Sequence, residues 1–307
     1  MAKKIIFMGT PMFAVPILKS LYQNGYPISV IYTQPPQKSQ RGQKINKSPI
    51  QGIAETLNLE FRTPESLNNN NEEYEYLKKM EADLAIVVAY GQIIPEKFLN
   101  IKNLIFLNIH ASLLPRWRGA APIQRSIMEM DKETGISIMK IIPKLDAGPY
   151  ILQKRTNINP KDNYLSLSKR LSKIGAELIL ESISLFEKKM TKFMDQQDKF
   201  VTYAKKISKK DTEIEWNEKA QKVIAKINSL SPFPGAWFKH NGKRIKILEA
   251  ELSDNQGKIG EVLTDNLVVG CNDKSIKINL IQKEGKTVLD AKSFLTGYKI
   301  VKGEMLR

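Results

Sequence analysis

The chain has 307 residues, 42% of them hydrophobic and 26% charged, which excludes collagen-like, disulfide-rich and wholly disordered classes and suits two domains. One cysteine, Cys271, excludes an internal disulfide and a thiolate metal site and makes a reducing cytoplasm the expected compartment; two histidines, His110 and His240, exclude a multi-histidine zinc site. Lys and Arg number 48 against 32 acidic residues, and the resulting +16 reads either as a polyanionic partner or as a lysine-rich composition unrelated to binding.

The opening residues have the outline of a signal peptide, but Gly9, Pro11 and Pro16 interrupt the apolar stretch and no small-x-small site follows, so residues 4–8 read as a first strand. No apolar run reaches the roughly 18 residues that a membrane span needs. A helical pattern covers 12–23, and 28–32 is a second strand. Residues 33–47 are polar, with four charges that are all basic (Lys38, Arg41, Lys44, Lys47). Strand-to-helix connections usually take about 2–6 residues, so this one is functional or disordered. Helices are expected at 48–58 and 72–80. Residues 84–89 and 104–109 are continuous apolar runs, the mark of strands buried on both faces. Strands at 135–142 and 150–157 flank a Leu145-Asp146-Ala147-Gly148 loop, and a long amphipathic helix at 163–189 closes the unit. Strands alternating with helices predict an α/β fold, a Rossmann-like parallel sheet with right-handed crossovers over 1–189.

Residues 190–210 read as a basic linker. Positive charge is denser toward the end of the chain: residues 1–200 hold 28 basic and 19 acidic side chains, residues 201–307 hold 20 and 13. After a helix at 217–229 and a Ser231-Pro-Phe-Pro-Gly235 turn come short runs at 236–240, 244–250, 260–264, 266–271, 276–282 and 299–301. Short strands at tight spacing predict a small OB-like β-barrel over 211–307.

The turn Gly9-Thr10-Pro11 lacks the further glycines of a dinucleotide site and the lysine of a P-loop, so a tight strand-to-helix turn is the better reading. The segment from Leu107 to Pro122 carries more. Asn108 and His110 stand two apart at the end of a buried strand and so point to one side. An amide can donate to a developing oxyanion, and an imidazole can move a proton near neutral pH. Asp146 could orient that imidazole. A packing role for His110 is the competing reading.

Asn-x-His-x-Ser-Leu-Leu-Pro followed by an Asp-x-Gly loop resembles the folate-dependent formyltransferase family. The longer string from His110 to Gln124 resembles its branch that formylates methionyl initiator tRNA, whereas other branches more often carry Pro at the position of Ala111. Further strings in order carry the likeness along nearly the whole chain: Phe7 to Pro16, Ser48-Pro-Ile, Ala89 to Pro95, Leu145 to Gly148 and Pro232 to Trp237. Met12, where the family often has Asp, and Pro149 depart from the pattern without touching the three polar residues.

The resemblance implies formyl transfer from 10-formyltetrahydrofolate, a co-substrate, to the amino group of methionine on initiator tRNA, with no metal. It implies that Asn108 and His110 contact the formyl oxygen and that Asp146 orients His110. Ser112, Leu113, Leu114 and Pro115 would line the folate pocket, while Tyr90, Gly91, Gln92 and Ile93 would offer backbone contacts to the pterin. The basic insertion, with Arg41 and Lys44, would engage the tRNA end, and Lys205, Lys206, Lys209 and Lys210 would track its backbone. Trp117 is expected to pack within its loop, with base stacking as the alternative. Trp216 and Trp237 are expected to be structural, and His240 to be an exposed hairpin residue. A monomer is expected. The alternatives are a formyltransferase acting on a small-molecule amine and a non-catalytic RNA-binding protein.

Overall fold

Five buried residues form the first strand, β1 (Ile5–Gly9). The chain must turn tightly after it, because a Cβ on Gly9 would lie 2.8 Å from Phe7 Cε1 and 3.0 Å from Ala14 Cβ. A 3-10 turn (Met12–Ala14), α1 (Val15–Gln23) and β2 (Ile28–Tyr32) follow. The computed structural model describes residues 3–39 and 44–306. Arg41 and the Lys44 side chain lie outside the described residues. The basic insertion, expected as a functional or disordered connection, contains a two-stranded antiparallel ladder, β3 (Gln37–Ser39) with β4 (Lys44–Asn46).

Ser48 starts α2 (Pro49–Thr56) by accepting the Gln51 N–H, the usual role of an N-cap serine. Then come β5 (Phe61–Arg62), α3 (Asn71–Lys79), β6 (Leu84–Val88), α4 (Glu96–Leu99) and β7 (Ile105–His110). After them follow β8 (Arg118–Gly119), α5 (Pro122–Met128), β9 (Glu133–Lys140), β10 (Tyr150–Asn157) and α6 (Tyr164–Glu187).

Seven strands form one sheet in the order β10-β9-β7-β6-β1-β2-β5. The β1–β2, β1–β6, β6–β7 and β2–β5 pairs are parallel. The sheet is not parallel throughout, however: β9 runs antiparallel to β7, with His110 opposite Ser137. The chain leaves β7 and re-enters β9 at the same end of the strands, and a same-end return gives an antiparallel pair. Phe106 of β7 sits in a core with Met8, Tyr32, Val87 and Phe98. By the two-residue period Asn108 and His110 share its side of the strand. Ile109 points the other way, toward α6, where a Cβ on Gly175 would lie 3.1 Å from Ile109 Cγ2.

The chain divides into two compact units: Met1–Gly119, Gly135–Thr156 and Ser168–Tyr203 form the first, and Ala120–Thr134, Asn157–Leu167 and Ala204–Arg307 the second. β11 (Tyr203–Ala204) falls at their boundary. The second unit contains α7 (Ala220–Leu230), β12 (Ala236–His240), β13 (Lys243–Ser253), β14 (Val262–Thr264), β15 (Val268–Gly270), β16 (Ser275–Lys283), β17 (Leu289–Asp290) and α8 (Ala291–Gly297). Its antiparallel sheet runs β12-β13-β16-β15-β14, with β17 on β16, around a core that includes Trp216, Ile227, Phe238 and Ile278.

Two expectations fail here. Residues 299–301 form no strand, because the chain turns there: Glu304 N–H donates to Val301 O and Gly303 has φ 84°. The tail then joins the sheet through a bridge from Met305 to Glu261. His240 is not exposed. It is buried, with Nε2 2.7 Å from Glu304 Oε1 and Nδ1 3.0 Å from Tyr298 Oη, because residues 298–304 fold over the β12–β13 turn.

Candidate active site

Asn108, His110 and Asp146 come together on one side of β7. Asn108 Nδ2 lies 3.5 Å from Asp146 Oδ1, and His110 Nδ1 lies 3.8 Å from Asp146 Oδ2. The His110 side chain is 6% exposed and that of Asp146 15%, while Asn108 is half-buried, so the cluster can be reached from the amide and carboxylate side.

The imidazole tautomer follows from its partners. His110 Nε2 is 2.8 Å from Trp117 O. A carbonyl only accepts, so Nε2 carries the hydrogen, and Nδ1, facing the carboxylate, is the nitrogen left to gain or lose a proton. Asp146 is in turn fixed by Gly119 N–H, 2.7 Å from Oδ2. The backbone strand that follows the Ser-Leu-Leu-Pro stretch thus orients both the imidazole and the carboxylate. Trp117 is buried and left-handed (φ 63°), with the Arg116 guanidinium over its ring at 4.5 Å, so packing rather than base stacking is its place.

The Asp146 loop is held in an unusual shape. Asp146 has φ 44°, a left-handed conformation that needs support from its surroundings. A Cβ on Gly148 would lie 1.8 Å from Lys140 O, so only glycine fits. Gln196 supplies part of the support, donating from Nε2 to Asp146 O at 2.8 Å and Gly148 O at 2.7 Å. Sequence reading missed Gln196, Trp117 O and Gly119 N–H. Two of these are backbone atoms, and Gln196 sits in a polar stretch with no pattern to mark it.

The residues expected to hold folate are placed but differently engaged. The Ser112 hydroxyl is committed to Arg116 O at 2.6 Å, and Ser137 and Gln153 hold the Leu114 backbone. Leu114 is buried, whereas Leu113 and Pro115 are half-buried. Tyr90 is buried, and its carbonyl accepts from Thr10 Oγ1. The Gln92 amide is occupied by Pro64 O and the Leu67 N–H. Gly91 is exposed in a left-handed turn (φ 89°), and Ile93 is 89% exposed.

In the second unit Lys205, Lys206, Lys209 and Lys210 are all exposed. Lys206 and Lys209 line a cleft of about 600 Å³ with Phe233, Trp237, Arg244 and Lys246. Phe233 is 77% exposed, with Lys246 Nζ 5.9 Å from its ring centre, and Arg244 stacks on the buried Trp237 at 4.4 Å. Trp237 is fixed by its Nε1–H donation to Thr212 Oγ1 at 2.9 Å.

Residues 3–183 match the formyl transferase family, and residues 206–299 match its C-terminal domain. The chain is similar over its whole length to the methionyl-tRNA formyltransferase of Pelagibacter ubique (strain HTCC1062), 56% identical over 308 residues covering 100% of this chain and 99% of that one. It is 44% identical over 303 residues to that of Jannaschia sp. (strain CCS1), 99% of each chain. Solved structures share the fold: HypX from Aquifex aeolicus in complex with tetrahydrofolic acid has TM-score 0.69 at 18% identity, covering 100% of this chain and 51% of that one, so this chain spans about half of HypX. The N-formyltransferase from Helicobacter canadensis, in complex with folinic acid and dTDP-3-aminofucose, gives TM-score 0.68 at 19% identity, covering 92% of this chain and 100% of that one. With its two segments matched in order and its full length aligned at these identities, the chain belongs to the formyl transferase family, in the branch of the methionyl-tRNA formyltransferases.

Proposed function

We propose that the protein transfers the formyl group of 10-formyltetrahydrofolate to the amino group of methionine carried by initiator tRNA. The observation that carries this reading is the meeting of Asn108, His110 and Asp146 at a partly exposed point, on a chain 56% identical to a methionyl-tRNA formyltransferase. An amide donor, an imidazole with one free nitrogen and a carboxylate suit acyl transfer to an amine, and the folate, when bound, supplies the activated formyl carbon. Asn108 Nδ2–H donates to the formyl oxygen as negative charge gathers there. His110 accepts at Nδ1 the proton that the attacking nitrogen must lose as the new C–N bond forms, and returns it to the departing folate nitrogen as the old C–N bond breaks. Asp146 faces the imidazolium formed between those steps.

The basic features serve the tRNA. Arg41 and Lys44 act at its acceptor end; Lys205, Lys206, Lys209 and Lys210 act on its phosphates without reading sequence. The protein works in the cytoplasm as a monomer, so light scattering should give a molar mass near 34.9 kDa. The deciding experiment incubates the protein with 10-formyltetrahydrofolate and either charged initiator tRNA or small amines. Formyl-methionine on the tRNA is expected, whereas formylation of small amines alone would overturn the reading. Arg41→Ala should lower kcat/KM for the tRNA, and an unchanged value would remove Arg41 from the interface.

A further inference from the structure

We propose that Gln196 is a positioning residue for Asp146, held in its working orientation by the buried guanidinium of Arg118; this rests on the reading of Asp146 given above. Residues 192–200 are exposed except Gln196, which turns inward. Its Oε1 accepts from Arg118 Nε at 2.9 Å, and its Nε2 donates to the carbonyls of Asp146 and Gly148 at 2.8 and 2.7 Å. The amide can sit only one way round. Reversed, its NH2 would face a guanidinium N–H and its oxygen would face two carbonyls.

Arg118 is 2% exposed, and the carboxylate paired with it among the described residues, Asp198 Oδ1, is 3.8 Å from Nη2 on a side chain that is 82% exposed. Its Nε thus donates to a neutral amide, not to a carboxylate. A charged donor on Oε1 polarises that amide and strengthens the Nε2–H bonds on its far side. Those bonds bracket Asp146, the left-handed residue of the loop. The same stretch grips the other flank of the cluster: Thr202 Oγ1 accepts the Trp117 N–H at 2.9 Å, and Thr202 O accepts the Arg118 N–H at 2.9 Å. Trp117 O orients His110 and Gly119 N–H orients Asp146, so residues 196–202 set both partners of the proton-handling pair.

The test uses the full chain with Gln196→Ala, and with Gln196→Glu, which keeps an acceptor for Arg118 but loses both donors to the loop. Each is made also in an Asp146→Asn background. Expected is a fall in kcat of about 10- to 100-fold with KM for both substrates changed less than about threefold. In the Asp146→Asn background the Gln196 changes should add no further loss. Hydrogen exchange across residues 143–149 should quicken in both Gln196 variants. A wild-type kcat, a full additional loss in the Asp146→Asn background, or unchanged loop exchange would each overturn the proposal. Lack of activity in the wild type would instead sink the formyl-transfer reading, and loop exchange would still decide whether Gln196 holds the loop.

Discussion

Asn108 is the single side chain on which the proposed chemistry leans most directly, because an amide hydrogen bond grows in strength as an oxyanion forms. Asn108→Ala should reduce kcat by about 10²–10³ while the protein stays folded, read by single-turnover formylation beside a thermal melt. A loss confined to KM would mean that the amide only binds. The spacing of Asn108 and His110 is legible in sequence, since two residues on a strand share a side whatever the fold around them. The tautomer of His110 is not legible, because Trp117 O, its partner, is a backbone atom in a buried left-handed turn. His240 shows the same limit from the other direction. An Asn-Gly turn beside it reads as solvent-facing, and only the returning C-terminal tail, through Glu304 and Tyr298, buries it.

Between single residues and domains stand the elements and the loops that join them. The Asp146 loop is the most demanding of these: Gly148→Ala places a methyl against Lys140 O and should abolish activity by displacing the loop, with lost formylation and a lowered melting temperature as the readouts. In the second unit α5 is tied to the 208–212 turn by Arg125, which meets both Asp211 oxygens at 3.1 Å. Burial alone would raise the Asp211 carboxyl, but the Arg125 hydrogen bonds and the Ser208 donors outweigh it and hold it at about 2, below its ordinary 3.8. A depressed carboxylate adds stability above its unfolded value, and that stability disappears as pH falls from about 4 to about 2. Because the pair is partly exposed, solvent screening cuts its contribution at neutral pH to about 1 kcal/mol. Asp211→Asn should therefore melt lower than wild type at pH 7, with the gap narrowing at pH 3; a gap that held constant across this range would refute the assignment. In the first unit β1, β6 and β7 are legible as apolar runs and β2, β9 and β10 as strands, whereas the two- and three-residue strands are not. Nor are α5 and α8, being seven residues each and too short to show a helical period.

On the scale of the whole molecule, the +16 charge is tested through its lysines in the second-unit cleft. If the cleft lysines meet phosphates, removing Lys206 and Lys209 together should lower tRNA affinity and flatten its dependence on salt by about one unit of slope per lost contact. Equal affinity and slope in wild type and variant, measured by filter binding from low to moderate salt, would assign the excess lysine to composition. The sequence by itself determined the α/β first unit, the β-rich second unit and the family, because apolar periodicity and ordered motif strings are local properties that one chain carries in full. Tertiary structure alone decided the antiparallel β9, the burial of His240 and the grip of Gln196 on the Asp146 loop. Each of these depends on hydrogen bonds between residues tens of positions apart, and nothing in the intervening sequence records that those residues meet.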